Sequence, residues 1–366
     1  MILPPATLGM LGGGQLGRFF VIAARELGYT TWVLDPDPGS PAGAMAHRHL
    51  VAAYDDPAAL DELATGCAAV TTEFENVPAA TLARLAESIV VHPSAAAVSV
   101  CQDRIAEKTF LRDHGFATAA FAAVPGGEVT DDFFPGILKT ARFGYDGKGQ
   151  VTVERAEDLD AAHATLGGAD AILERKVPLD LEVSVVLARG EDGDVRAFPP
   201  SENRHVDGIL DTSIVPAAID GDEAMQLAID VATALDYVGT LGVELFVSDG
   251  ELLVNELAPR PHNSGHSTID ACRTNQFEQQ VRALCGLPLG DATAHSASVM
   301  VNLLGDAWAD GEPDWGALLA VPNLRLHLYG KAAARPGRKM GHFTVVAPDR
   351  PTALDAAAAA RRAISG

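Results

Sequence analysis

The chain has little cysteine, little positive charge and no long apolar run, and each shortage narrows its function. Its four cysteines, Cys67, Cys101, Cys272 and Cys285, lie far apart in 366 residues and form no C-x-x-C pair. That spacing argues against a disulfide framework or a cysteine metal site and predicts buried free thiols in a reducing compartment. Lysine and arginine number 27 against 49 aspartates and glutamates, a net charge of −22. Such a chain is a poor partner for nucleic acid or an anionic membrane. No apolar stretch approaches the roughly 18 residues of a membrane span, and Met1–Ala6 lacks the basic start of an export signal. The expected location is the cytoplasm. No internal repeat is present.

What the chain does have is basic residues gathered in a few places, where an anionic ligand needs them. Lys139-Thr-Ala-Arg-Phe-Gly-Tyr-Asp-Gly-Lys-Gly-Gln150 puts Gly144, Gly147 and Gly149 among two lysines and an arginine. Such glycines let backbone N–H groups approach an anion, and the lysines add point charges for phosphate. A length of 366 residues suits two or three domains.

Ala6–Leu11 reads as a strand, Gly12-Gly-Gly-Gln-Leu-Gly17 as a turn, and Leu16, Phe19, Phe20, Ala23, Ala24 and Leu27 as one face of a helix ending at Gly28. Thr31–Leu34, closing at Asp35, is the next strand. The glycine spacing matches the dinucleotide fingerprint formally, but it licenses only an anion site at a helix N-terminus. Ala68–Thr72 and Ile89–His92 continue the pattern, so residues 1–100 form a small doubly wound, Rossmann-like domain. Thr72-Glu-Phe-Glu-Asn-Val-Pro78 sits at a strand end, where open sheets bind ligands, or caps the next helix with solvated acids.

In the middle, Gln102-Asp-Arg104 opens a helix that runs to about His114 and carries Lys108. Gly136–Thr140 is a strand bearing Lys139, and Ala171–Glu174 another. Leu241–Glu256 is a hairpin turning near Asp249-Gly250. If Val247 pairs with Glu251, Glu244 and Glu256 share a face; if Ser248 pairs with Glu251, they point apart. Only the first register lets the two share a metal. Two carboxylates on one buried face repel unless a hard cation such as Mg²⁺ joins them. In Pro259-Arg-Pro-His-Asn-Ser-Gly-His266 the H-x₃-H spacing is not helical, so a polar substrate loop with Arg260 and Asn263 as donors is expected rather than a metal site. Ser264 lacks a supporting acid or a Gly-x-Ser-x-Gly setting and is discounted as a nucleophile. Ala297–Leu304, Leu324–Tyr329 and Gly341–Ala347 are strands of a small β-rich C-terminal unit, with Arg335–Lys339 as a basic cluster and Ala353–Ile364 as a helix.

Lys139 on a strand, the Gly144–Gln150 loop, Glu174–Val177, Glu182 and the Glu244/Asn255-Glu256 pair together resemble the ATP-grasp superfamily, whose members clamp ATP between two α+β subdomains and make acyl phosphates. Gly12–Arg18, Thr72–Pro78, Gln102–Arg104, Asn255–Gly265 and Arg335–Lys339 extend the resemblance to the branch that carboxylates aminoimidazole ribonucleotide in de novo purine synthesis. The resemblance implies an α/β and α+β multidomain fold. Residues 1–100 would bind substrate, 101–295 would be the ATP-grasp domain with a lid at about 117–180, and 296–366 the C-terminal domain.

It also implies ATP, Mg²⁺ and bicarbonate as reactants or cofactor, carboxyphosphate as intermediate, and a homodimer. Arg104, Lys139, Gly144, Tyr145, Asp146, Gly147, Lys148, Gly149, Gln150, Glu174, Arg175, Lys176, Val177, Glu182, His205 and Asn255 would hold ATP, and Glu244 and Glu256 Mg²⁺. Gln15, Leu16, Glu73, Asn263, Lys331, Arg338 and Lys339 would receive the ribonucleotide. Tyr145, Asp146 and Lys148, with Lys339, would stand at the reacting end. The competing readings are a ligase using another acid such as formate, an NAD(P)-dependent oxidoreductase built on Gly12–Gly17, and a non-catalytic nucleotide-binding module.

Overall fold

The computed structural model describes residues 1–144 and 147–364. Short buried strands alternating with amphipathic helices give the first unit. Its strands β1 (Thr7–Leu11), β2 (Thr30–Leu34), β3 (Arg48–Leu50), β4 (Ala69–Thr72) and β5 (Val90–Val91) form a parallel sheet in the order β3-β2-β1-β4-β5. β3 was not legible in the sequence, because three residues, one of them buried, carry no periodicity. The helix Gln15–Glu26 follows β1, and Gly28 takes φ +85° just beyond it, a conformation that glycine adopts without strain.

The segment expected as a lid is a second sheet, antiparallel, of β6 (Phe121–Val124), β7 (Gly136–Thr140), β8 (Gln150–Val153) and β9 (Ala171–Arg175) in the order β6-β9-β7-β8. Leu138, Val153, Ala171 and Leu173 form its small core under the helix Leu159–Thr165. The glycine-rich loop joins β7 to β8 at the sheet edge, and Tyr145 and Asp146 lie outside the described residues.

The third sheet comprises β10 (Leu181–Arg189), β11 (Val195–Ala197), β12 (Ser201–Val206), β13 (Ile209–Val215), β14 (Gly239–Ser248), β15 (Glu251–Ala258), β16 (Ala297–Leu304), β17 (Leu324–Leu328) and β18 (Lys339–Ala347). Its order is β15-β14-β10-β12-β13-β16-β18-β17, with β11 beside β10. The C-terminal strands therefore continue the sheet that carries the glutamate hairpin, joined to it where β13 pairs with β16. β18 starts at Lys339, two residues earlier than the sequence predicted.

One core joins the first unit to the C-terminal strands. Phe19 and Phe20 from the first helix, Phe277 from Gln276–Leu284 and Tyr329 beyond β17 pack in a single buried cluster. Phe20 and Tyr329 have no exposure, and burying one such side chain contributes about 1.5–3 kcal/mol. This packing brings the first helix against the C-terminal strands, where Phe19 meets His327 and His342. All four cysteines are free thiols, Cys67 and Cys285 buried and the other two partly so.

Candidate active site

The glycine turn after β1 holds an anion, and the anion is the chain's own. Glu73, at the end of β4, accepts hydrogen bonds from the N–H groups of Gly14 and Gly17, the latter at 2.6 Å. It lies so close that a Cβ on Gly12 would collide with Glu73 Cγ and one on Gly14 would meet Glu73 Oε1 at 2.7 Å. Gly14 provides no side-chain cap, so a carboxylate from another strand caps the helix instead. Burial raises the Glu73 carboxyl above its usual pKa, and the two N–H groups only partly oppose this. Asp35 is engaged too, accepting from Gly13 N–H at 2.7 Å and from the Tyr54 hydroxyl at 2.7 Å. With Glu73 on the helix N-terminus and Asp35 committed to the turn, the place of a dinucleotide pyrophosphate is taken. The oxidoreductase reading loses its support. Glu73→Gln is expected to lower folding stability by about 1–2 kcal/mol, read as a shift of the urea midpoint. An unchanged midpoint would show that the carboxylate does not cap the helix.

The Thr72–Pro78 segment does not cap the next helix. Glu75 instead pairs with Arg260 at 2.6 Å, while Gln102 donates to the carbonyls of Glu75 and Val77. Burial would raise Glu75, but the Arg260 guanidinium outweighs it and holds the carboxyl low. Arg260 thus clamps the first sheet to the third.

Under the lid, side-chain alternation aligns the charges. Glu174 on β9 stands opposite Ile137 on β7, so Lys139, two residues on, is its diagonal neighbour on the same face. Lys139 Nζ donates to Glu174 Oε2 at 2.8 Å. Lys108, almost fully buried, approaches the same oxygen at 4.0 Å and donates to Thr118 Oγ1 and the Val254 carbonyl. Burial would raise Glu174, but Lys108 and Lys139 together hold it below its usual pKa. The sequence offered one signal for this role: Lys108 follows Arg104 by four residues, one turn along the same helix face. Arg104 Nη1 binds Glu256 Oε2 at 2.9 Å, and its Nη2 donates to the Gly144 carbonyl. Lid, helix and hairpin are therefore joined by one run of charges.

The hairpin corrects both expected registers. Ser248 pairs with Glu251 around a two-residue turn in which Asp249 and Gly250 both have positive φ, the type I′ pattern. That is the register expected to separate the two acids. A bulge then inserts Asn255 as an extra residue, and below it Glu244 stands directly opposite Glu256. The two carboxylates share a face after all. His262 Nε2 lies 3.0 Å from Glu244 Oε1. Burial would raise Glu244, but His262, His205 and Arg260 bring it down to about 2. On the neighbouring strands His205 Nδ1 lies 2.5 Å from Glu182 Oε2. Burial opposes a charge on His205, yet Glu182 and then Glu244 raise its pKa overall.

The Pro259–His266 loop, expected to meet substrate, separates its two histidines. His262 faces Glu244, whereas His266 is fully buried behind the loop. The acid expected to be missing beside Ser264 is present, since His262 joins Ser264 Oγ at 2.8 Å to Glu244. Ser264 is nonetheless no nucleophile, for it has no exposure and accepts from Ser184 at 2.6 Å. Asn263 exchanges reciprocal amide bonds with Asn302. Lys331 donates to the Lys339 carbonyl at 2.7 Å, Arg338 donates to the Ala333 carbonyl, and Gly330 approaches Arg18 of the first helix. Gln15 and Leu16 open that helix. Of the lid residues, Lys148, Gln150, Arg175 and Lys176 are exposed and Val177 half-buried, with the N–H groups of Arg175 and Lys176 bonded to the carbonyls of Ala120 and Pro135.

Family models match along this architecture: "Ribonucleotide synthetase preATP-grasp domain" over residues 5–102, "ATP-grasp domain" over 109–277, and "Phosphoribosylaminoimidazole carboxylase C-terminal domain" over 298–356. An N5-carboxyaminoimidazole ribonucleotide synthase from Brucella melitensis is 49% identical over 356 residues, 94% of this chain and 97% of that one. The chain belongs to the N5-carboxyaminoimidazole ribonucleotide synthase family. It is an ATP-grasp ligase. A crystal structure of the ADP complex of an N5-carboxyaminoimidazole ribonucleotide synthetase superposes with a TM-score of 0.91 at 40% identity, covering 99% of this chain and 97% of that one. The Aspergillus clavatus synthase in complex with ADP and 5-aminoimidazole ribonucleotide superposes with a TM-score of 0.88 at 30% identity, covering 98% of each chain. Among these synthases, a nucleotide and an aminoimidazole ribonucleotide are bound together in one solved structure.

Proposed function

We propose that the chain carboxylates 5-aminoimidazole ribonucleotide at its exocyclic amine, using ATP, bicarbonate and Mg²⁺, within units spanning residues 1–100, 101–295 and 296–366. The observation that carries the reading is the single charged network from Lys139 and Glu174 through Arg104 to the facing Glu256 and Glu244. Bicarbonate is a poor electrophile. Its oxygen attacks the γ-phosphorus of ATP and ADP leaves, giving carboxyphosphate. The substrate amine then takes the carboxyl carbon, phosphate leaves with the C–O electron pair, and the amine loses a proton.

Phosphoryl transfer needs positioning and charge neutralisation. Lys139 meets the ATP phosphates from β7, with Glu174 fixing its ammonium. The N–H groups around Gly144, Gly147 and Gly149 cover them from the loop. Glu174 to Val177 form the strand end beside the base, and Glu182, His205 and Asn255 complete the nucleotide pocket. Glu244 and Glu256 fit a hard cation, being opposed carboxylates that His262 and Arg104 now contact. Mg²⁺ held there would neutralise charge on the transferring phosphoryl group. Gln15, Leu16, Glu73 and Asn263 line the ribonucleotide side, and Lys331, Arg338 and Lys339 offer cations to its 5′-phosphate. Tyr145, Asp146 and Lys148 are assigned to the reacting end as the family resemblance implies, because carboxyphosphate needs protection from water. We take the working form to be a cytoplasmic homodimer, as the family resemblance implies.

Radiolabelled bicarbonate supplied with ATP and aminoimidazole ribonucleotide is expected to enter an acid-labile product with one ADP per label. Label incorporation from formate instead, or ATP hydrolysis independent of the ribonucleotide, would overturn the reading. Lys148→Ala is expected to raise the KM for both ATP and the ribonucleotide. A change in the ATP KM alone would remove the loop's second duty.

A further inference from the structure

Behind the substrate loop lies a cluster of polar side chains that the reaction does not use. Asp270, on the helix Thr268–Ala271, and His327 and His342, on β17 and β18, bring one ligand-capable atom each to within 4.8 Å of one another. The strand register sets His327 opposite His342, with their rings stacked at 4.6 Å. His327 Nε2 lies 2.8 Å from Asp270 Oδ2. His342 has no exposure; its Nδ1 meets the Tyr329 hydroxyl at 2.9 Å, and its Nε2 has no hydrogen-bond partner. His266, equally buried with its ring 4.9 Å away, also leaves Nε2 without a partner.

An unpartnered buried nitrogen costs about 1–3 kcal/mol, and here two stand in one cluster. A metal ion takes up such a lone pair. Two imidazoles and a carboxylate, with a third imidazole adjacent, suit a borderline divalent ion and not Mg²⁺ or Ca²⁺, which take oxygen ligands. The Tyr329 hydroxyl on His342 Nδ1 is the outer contact that fixes a ligating imidazole. The side chains of His327 and Asp270 are 21% and 9% exposed, which gives an ion a way in. Ligand distances of about 2.0–2.2 Å require the three to draw together slightly.

We propose that Asp270, His327 and His342 form a binding site for one divalent transition-metal ion of the Zn²⁺ class. The ion is structural and joins the helix after the substrate loop to β17 and β18. Lys331 follows His327 by four residues and Lys339 precedes His342 by three, so the ion braces both basic arms from behind.

The test uses the full chain, stripped with a chelator and then held in excess Mg²⁺–ADP so that the nucleotide site is covered. Zn²⁺ and Co²⁺ are the probes. Wild type is expected to bind one equivalent of Zn²⁺ more than His327→Ala or Asp270→Asn. Co²⁺ is expected to give the visible absorption of a low-coordinate ion in wild type only. His327 is partly exposed, so its variant is expected to keep the wild-type circular dichroism, whereas a His342 variant risks unfolding. Tyr329→Phe is expected to weaken Zn²⁺ binding by roughly 10–100-fold without changing the stoichiometry. Equal Zn²⁺ binding by wild type and both ligand variants, or no Co²⁺ spectrum in wild type, overturns the proposal.

Discussion

Lys139→Ala is expected to lower kcat by about 10²–10³-fold, the loss seen when one preorganised electrostatic donor is removed from a transition state. The fold is expected to survive. Breaking a buried pair is costly when it strands a charge, but Glu174 keeps Lys108 at 4.0 Å, and Lys108 stays anchored by Thr118 and the Val254 carbonyl. Saturating ATP does not restore the rate if the lysine acts on the transferring phosphoryl group. Steady-state kinetics with a parallel thermal melt checks both halves. Lys139→Arg is a poor rescue, because a planar fork does not reproduce a point charge at the end of this strand. Turnover within a few-fold of wild type would end the assignment.

The second large effect is at the hairpin. Glu256→Gln is expected to raise the Mg²⁺ concentration needed for half-maximal activity by at least about 10–100-fold and to lower kcat with it. The glutamine keeps the volume and one acceptor while removing the charge that Arg104 now balances. Glu244→Gln acts on the same ion from the opposite strand. The double variant is expected to lose less than the sum of the two singles, since both serve one step. A Mg²⁺ titration at fixed ATP reads this directly. An unchanged half-saturation point in either single variant would remove that carboxylate from the metal site.

Much of this was legible in the sequence because it is local. The glycine-rich loop, Lys139 on its strand and the Asp249-Gly250 turn announce themselves through residue type and alternation, and the structure places them as expected. What stayed hidden depends on groups distant in the chain. Gly12–Gly17 reads as a site awaiting an anion, and only the fold shows Glu73 already in it, about 60 residues on. The bulge at Asn255 leaves no mark in a pattern of alternating residues, so both expected registers were half right. His262 and His266 are four residues apart in sequence, yet the loop turns one toward Glu244 and the other into a core. The sheet crossing from β13 to β16 joins segments more than 80 residues apart, a distance no local pattern spans.

The bulge has a further consequence for engineering. β15 does not rely on the hairpin turn for its alignment. Its outer edge is fastened independently, with Val254 N–H on the Ala117 carbonyl at 2.8 Å and Leu257 N–H on Glu107 Oε2 at 3.0 Å. β14 is fastened on its other side by β10, with Ser184 opposite Glu244. Each strand thus has a support besides its hairpin partner, and the tip at Asp249-Gly250 lies beyond both supports. A peptide or reporter grafted there is expected to change the turn while these supports keep both glutamates in place.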